Sequence, residues 1–521
     1  MILRTLYYQG TIITLEEPLY ALGVLLENSL VKEVYYDQVP LDLKDTEYVD
    51  LQGKTLMPSF IDSHSHITQV ATVLDMVDLS NCQNFSDLVT TLSSQLTPDK
   101  TCLIAFGYDH NQLQEKKHPN REVLDKVSCD IPILITHKSG HMGVGNGKFL
   151  ELAGITEEKE NPTGGLIGRD DTGHLTGYLE EAAFMEATSY LPEVSFDTLC
   201  TAFQKAEDWY LAHGITTAQD GKTGEKDFQL LSMLAKNQSL RLDIVSYIDM
   251  KTSGHLLLEH PEYKDYQNHY RIGGYKLFLD GSPQGKTAWL SRPYEKEATY
   301  CGYPVYTDLE LENYLKKVVE DKKQVLVHCN GDAACEQFIR ICSRIDSIGK
   351  YRPVMIHAQL VREDQLKKMA SLGIIPSFFV EHVYHWGDVH LENLGDRAYR
   401  ISPCHTANLL GLPFTLHQDT PVLPPDMFHS IWCSVKRETS SGVVLGKEEQ
   451  ITVLDAIKAV TFHVAYSYFE ENEKGSILPG KYADFIILDK NPLEVDVDSL
   501  LTIQILETII RGKTVFAKSD V

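Results

Sequence analysis

The 521-residue chain contains no apolar run of about 18 residues or more, the length that a membrane-spanning helix requires. It contains no C-x-x-C pair either. Its ten cysteines are scattered, which argues against a disulfide framework and for the reduced, mostly buried thiols of a cytosolic protein. Basic residues are in deficit: 48 Lys and Arg stand against 73 Asp and Glu, a formal charge of −25. That balance argues against broad electrostatic affinity for nucleic acid or for an anionic membrane surface. The opening residues, Met1-Ile-Leu-Arg-Thr-Leu-Tyr-Tyr-Gln-Gly10, lack a basic region followed by an apolar run and a small-residue cleavage site, so a cytoplasmic location is expected. Internal repeats and low-complexity tracts are missing as well.

What is present is a soluble globular balance, 43% hydrophobic and 23% charged residues, in a chain long enough for a large domain plus a smaller module. Both ends read as short strands. Thr11-Ile-Ile-Thr-Leu15, Leu22–Glu27 and Leu30–Tyr36 near the start resemble Asp484–Asp489, Ile503–Arg511 and Thr514–Ala517 near the finish. Neither set makes a stable sheet alone. The two termini, 1–56 plus 475–521, are therefore expected to combine into a small β-sandwich domain.

Between them, short apolar strands with polar ends alternate with helical stretches. The strands are Met57–His66, Gly214–Asp220, Arg241–Asp249, Gly274–Gly281, Gln324–Asp332, Pro353–Gln359, Gly373–Phe379 and Pro413–Asp419, with helices such as Phe196–His213 and Leu309–Lys322. Such alternation implies parallel strands, and eight of them close a (β/α)8 TIM-like barrel whose strand ends form the active face. The expected fold is thus α/β, with the barrel over 57–474 and a long insertion at about 80–195 between its first and second strands.

The polar strand ends carry the chemistry. In Pro58-Ser-Phe-Ile-Asp-Ser-His-Ser-His66, strand alternation points His64 and His66 the same way, a spacing at which two imidazoles chelate one metal ion. Among 20 histidines, one H-x-H match is weak evidence by itself. Val325-Leu-Val-His328, Val354-Met-Ile-His357 and Phe414-Thr-Leu-His-Gln-Asp419 add three more strand ends of the same kind, and together they point to a metal site. Lys276 lies in Gly274-Tyr-Lys-Leu-Phe-Leu-Asp280; an inward lysine needs a partner or a modification. It forms an ion pair with Asp280, or it carries a carbamate made with carbon dioxide, whose oxygens bridge two metals.

These motifs, in this order and over nearly the whole chain, resemble the amidohydrolase superfamily and, within it, the YtcJ-like or N-substituted formamide deformylase-like branch. Tyr275–Ser282 is similar to the branch's lysine strand, His328-Cys-Asn-Gly-Asp-Ala333 and His357-Ala-Gln359 to its fifth and sixth strand ends, Asp419-Thr-Pro-Val422 to its eighth, and Gly475–Ile487 to its return into the terminal domain. The resemblance implies that His64 and His66 hold the more buried metal together with Asp419, that His328 and His357 hold a second, and that carboxylated Lys276 bridges them. It implies one or two divalent ions, Zn2+ foremost, with iron or manganese as alternatives. Asp419 is then the catalytic base and later acid. The implied activity is hydrolysis of a C–N bond in a small N-acyl or N-formyl compound; the rival readings are cleavage of another ester or cyclic amide, or a non-catalytic binding barrel. Where the family usually has a serine before the aspartate, this chain has Gln418.

Softer candidates surround this set. His141, in His137-Lys-Ser-Gly-His141 with Asn146 behind it, is a candidate to polarise a substrate carbonyl; the competing reading is a loop histidine. Asp220 and the loop Gly281-Ser-Pro-Gln-Gly285 are candidate substrate contacts. His382, His385 and His390 are expected in a mobile lid or surface loop rather than on a metal, with Trp386 as a candidate apolar wall. Cys329 and Cys335 read as packing residues. The expected partner is a small amide-type molecule, with no nucleic acid and no membrane, and the assembly expected is a homodimer.

Overall fold

A computed structural model describes residues 4–519 apart from 75, 99, 193 and 194. Eight strands form one parallel sheet: β1 (Phe60–Ile61), β2 (Ile215–Thr223), β3 (Asp243–Asp249), β4 (Tyr270–Phe278), β5 (Gln324–Cys329), β6 (Val354–His357), β7 (Ile375–Phe378) and β8 (Thr415–Leu416). Neighbours in sequence are neighbours in the sheet throughout. The sheet curls until its ends meet: the Ser63 hydroxyl beyond β1 donates to the Leu416 carbonyl in β8 at 2.9 Å, and His66 N–H donates to the Thr420 carbonyl at 2.8 Å. This is a TIM-like barrel. Ile61, Val245, Leu326, Val354, Ile356 and Ile375 pack within it, with Val464, Ala465 and Tyr468 from the chain beyond β8.

Local sequence dictates the alternation. Thr307 caps the helix Asp308–Glu320 by accepting the Glu310 N–H, while Glu310 reaches back to the Thr307 N–H. The helix then buries Leu311, Leu315 and Val318, one stripe at the spacing of 3.6 residues per turn. The helix Met427–Lys436 starts on Asp426 in the same manner. Among the described residues no helix is long and apolar enough to cross a membrane.

A second, mixed sheet draws on both chain ends. Arg4–Ile13, Tyr20–Glu27, Leu30–Tyr35, Thr46–Asp50 and Thr55–Pro58 share it with Phe485–Leu488, Ile505–Ile510 and Lys513–Ala517. The join is antiparallel, Thr55–Pro58 against Phe485–Leu488, and buries Ile12, Val24, Leu56, Phe485 and Ile509.

Residues Thr68–Ala206 form a compact unit of their own, inserted in the chain between β1 and β2. It holds a six-stranded sheet running from Val77–Asp78 to Gly165–Arg169, with separate cores around Leu103, Ile133 and Val144 and around Phe149, Leu179 and Phe184.

Candidate metal centre

The six residues named from the strand ends all lie at or just beyond the C-terminal ends of barrel strands. Asp419 is the hub: its Oδ1 is 3.6 Å from His64 Nε2 and 3.3 Å from His66 Nε2, and its Oδ2 is 3.9 Å from His357 Nε2. Lys276 Nζ is 3.0 Å from His64 Nε2. His328 joins through its ring, 4.5 Å from that of His357, while its Nε2 lies 3.2 Å from the Gly281 carbonyl oxygen. His64, Lys276, His328 and His357 are buried; His66 and Asp419 keep a little exposure.

Two of these placements need unusual backbone. Along a regular strand alternate side chains face opposite ways. His328 is level with Ile356, and His357 with Cys329. A regular β6 would therefore turn His357 away from His328. His357 instead has φ +70°, followed by Ala358 at +49°, and Asp419 has φ +57°. Left-handed backbone at residues with side chains costs about 1–3 kcal/mol each and concentrates at functional sites. A close approach completes the wall: a Cβ on Gly221 would lie 2.5 Å from His64 Cε1, so only glycine fits beside that ring.

The protonation of His64 is fixed by its neighbours. The Gln219 amide nitrogen donates to the Ser63 carbonyl at 2.8 Å and to the Tyr468 hydroxyl at 2.7 Å, and Tyr468 donates onward to the Asp62 carbonyl at 2.7 Å. The amide oxygen of Gln219 must then face His64 Nδ1, 2.6 Å away, which donates to it. Nδ1 carries the proton, so Nε2 is an unprotonated acceptor with Lys276 Nζ at 3.0 Å and Asp419 Oδ1 at 3.6 Å. Asp419 Oδ1 is itself buried without a hydrogen-bond partner. A carboxylate oxygen facing an unprotonated imidazole nitrogen in a buried site is stabilised by a cation between them, and a hydrogen-bonded partner on the far nitrogen is how metal-binding histidines are oriented. His64, His357 and Asp419 also offer ligand atoms within 4.8 Å of one another. These residues fit a divalent metal ion.

Burial sets the charges. It drives His64 and His357 well below the ordinary imidazole range, with Lys276 and His328 respectively adding to the effect, so both are neutral and able to ligate. Burial likewise pushes the Lys276 ammonium down to about 7. The ion pair between Lys276 and Asp280 does not form. Asp280 instead accepts the backbone N–H groups of Trp289, Asn330 and Gly331 at 2.7–2.9 Å, tying together the segments after β4 and β5. Phe278 stands 5.0 Å from Lys276 Nζ, and Phe379 has its ring 6.0 Å from that of His357.

Sequence reasoning missed Gln219 and His417. His417 Nε2 is 3.2 Å from His357 Nδ1, and its Nδ1 is 2.8 Å from the Ser377 hydroxyl. For His417 the one available signal was an imidazole at the end of the short apolar strand Thr415–Leu416; Gln219 stands among other polar residues in β2. Gln418 turns away, its amide reaching Met427 Sδ at 2.8 Å. The loop after β4 is pinned, with three hydrogen bonds joining Thr287 and Ser282. Asp220 receives the Thr223 hydroxyl at 2.5 Å.

The expected lid or surface loop over His382, His385 and His390 is instead the helix His382–Leu394. His382, Trp386 and His390 recur every fourth residue and so share one buried face, where His382 Nδ1 and His390 Nε2 are 3.1 Å apart. His141 lies in the inserted unit, between strands Ile133–His137 and Met142–Gly145, with Nδ1 3.0 Å from Glu181. Asn146 is structural: it caps the helix Gly147–Leu152. Cys329 and Cys335 are buried with their thiols pushed up, as packing residues are.

A TIM-like barrel that gathers histidines and an aspartate at its C-terminal mouth defines a metal-dependent hydrolase. The chain belongs to the amidohydrolase family, whose model matches residues 47–516. It is 24% identical to the N-substituted formamide deformylase of Arthrobacter pascens over 90% of this chain and 89% of that one. Among solved structures it is similar to an uncharacterized metal-dependent hydrolase from Pyrococcus horikoshii (25% identity, TM-score 0.78, 95% and 99% of the two chains covered) and to another from Pyrococcus furiosus (25%, 0.76, 94% and 100%).

Proposed function

We propose that this hydrolase cleaves the C–N bond of a small N-acyl or N-formyl amide at the barrel mouth, with His64, His66, His328, His357 and Asp419 holding one or two divalent ions, zinc foremost. The observation that carries the reading is the convergence of the His64, His66 and His357 Nε2 atoms on Asp419, with His64 Nε2 unprotonated and Asp419 Oδ1 lacking a hydrogen-bond partner. When bound, such an ion lowers the pKa of water toward neutrality and polarises the scissile carbonyl.

The chain's own residues supply the rest. Asp419 takes a proton from the attacking water on one carboxylate oxygen and delivers it to the departing nitrogen, which leaves as an amine. Gln219 holds His64 in its Nδ1–H form, and His417 orients His357. Lys276, buried and facing no carboxylate within ion-pair distance among the described residues, has its ammonium pushed down to about 7, so a large share of it is neutral amine near pH 7. Its neutral Nζ can add to the carbon of carbon dioxide and release one proton, leaving a carbamate that would add an anionic ligand to the set. Phe278 and Phe379 border the cluster with apolar surface, which strengthens the electrostatics there and suits a small, uncharged substrate group. The deformylase resemblance supports the amide class.

The test is a panel of N-formyl and N-acyl amines beside simple esters and cyclic amides, assayed on metal-loaded protein. Release of acid and amine from the first group, abolished by a chelator and restored by the metal, is the expected result. Turnover confined to esters or cyclic amides overturns the substrate class.

A further inference from the structure

The inserted unit contains a second set of metal-type ligands that the barrel chemistry does not use. Tyr108-Asp-His-Asn111 follows the strand Leu103–Tyr108, and His137 ends the neighbouring parallel strand Ile133–His137. His137 Nε2 is 3.4 Å from Asp109 Oδ1 and 3.2 Å from His110 Nδ1, and His110 Nδ1 is 3.9 Å from the same Asp109 oxygen. We propose that Asp109, His110 and His137 form a binding site for a zinc-like transition-metal ion, separate in its ligands from the barrel cluster.

Three observations support it. The three separations are those of ligand atoms around an ion held about 2.0–2.2 Å from each, the range of Zn–N and Zn–O bonds. Asp109 is buried, 5% exposed, its Oδ2 has no hydrogen-bond partner, and its ion-pair partners among the described residues are His110 and His137. A buried anion of this kind is compensated by a cation held among the three ligand atoms. The residues around the ligands also limit their motion: the Asn111 N–H donates to Asp109 Oδ1 at 2.9 Å, and the His110 ring stacks on His118 at 3.9 Å, whose Nδ1 is 3.0 Å from the Tyr108 hydroxyl. Three protein ligands of mixed His and Asp type leave the fourth tetrahedral position for water or a small ligand.

Ser139 defines the alternative state. Its hydroxyl is 2.9 Å and its N–H 3.0 Å from His137 Nδ1. With metal on Nε2, the His137 proton sits on Nδ1 and is donated to the Ser139 hydroxyl, the outer-sphere bond that such ligands use. Without metal, the Ser139 N–H donates to Nδ1 and the proton on Nε2 points at Asp109. The site therefore binds its ion by a change of tautomer at His137.

The experiment titrates metal-free full-length protein with Co2+ and reads both stoichiometry and the visible absorption of the ion. The barrel variant H64A/H66A is expected to retain one Co2+ per chain with a tetrahedral spectrum. Adding D109N/H137Q to it is expected to remove that equivalent, and adding the milder H110A, at a partly exposed ring, to weaken it about 10-fold or more. Unchanged Co2+ stoichiometry and spectrum in folded protein carrying D109N/H137Q or H110A overturn the proposal, as does the absence of any Co2+ binding by H64A/H66A.

Discussion

Two buried clusters of ionisable side chains occupy opposite ends of the barrel strands, and they follow opposite rules. At the N-terminal end, Asp243 opens β3 and meets Lys474 Nζ at 2.5 Å, Arg511 at 3.0 Å and His269 at 2.6 Å, while Glu470 meets Lys474 at 3.1 Å and Arg271 at 2.8 Å. Both of these carboxylates face cationic groups. At the C-terminal end, Asp419 faces imidazole nitrogens, one of them held bare by Gln219, and Lys276 lies against a histidine rather than an acid. The first cluster matches its charges within the protein, although Glu470 Oε2 and Arg511 Nε lack hydrogen-bond partners. The second is complete only with something added. Paired charge marks the part of a barrel that holds it together; acceptors turned on one another mark the part that works.

The sharpest way to break this contrast is at the hub. D419N is expected to lower turnover by about 10²–10⁴-fold, the scale of a lost proton-transfer group, with a melting temperature close to that of the parent; steady-state kinetics and thermal melts check both, and an active variant removes Asp419 from the chemistry. At the other end K474M inverts the pattern. It leaves Asp243 and Glu470 short of a partner in a buried site, so stability is expected to fall by roughly 3–5 kcal/mol while turnover per folded molecule stays within about two-fold. Denaturant unfolding measures the loss, and a variant as stable as the parent denies the cluster its role. Q219L releases the His64 tautomer and is expected to weaken metal affinity by about 10–100-fold, read by competition with a chelator.

A smaller effect is expected from pH. Burial favours the protonated form of Asp243, but Lys474, His269 and Arg511 outweigh it and hold the carboxylate well below its ordinary range. The folded pKa is therefore depressed. Its contribution is fully present above the unfolded value near 3.8 and is lost as pH falls below it toward the folded one. The parent is expected to lose stability steeply below about pH 4, and D243N less steeply; equal slopes in acid unfolding curves contradict the assignment.

The same contrast explains what could be read from sequence. A strand end at the active mouth announces itself as an apolar run closing on histidine or aspartate, so β1, β5, β6 and β8 were legible together with the histidines and the aspartate that gather there. Gln219 and His417 were not, because a buried amide or imidazole in a strand reads the same whether it orients a ligand or satisfies the backbone. His357 stood in the correct strand, yet its direction depends on a left-handed φ that no residue type announces. The helix His382–Leu394 went unrecognised because histidines and a tryptophan at every fourth position resemble a loop in composition and a helix face only in spacing.

Metal content measured by elemental analysis of purified protein tests the central claim most directly, with H64A/H66A set beside K474M. The parent and K474M are expected to carry an equivalent of divalent metal that H64A/H66A has lost. Equal metal in all three, with H64A/H66A folded, would contradict the assignment of the barrel mouth as the metal centre.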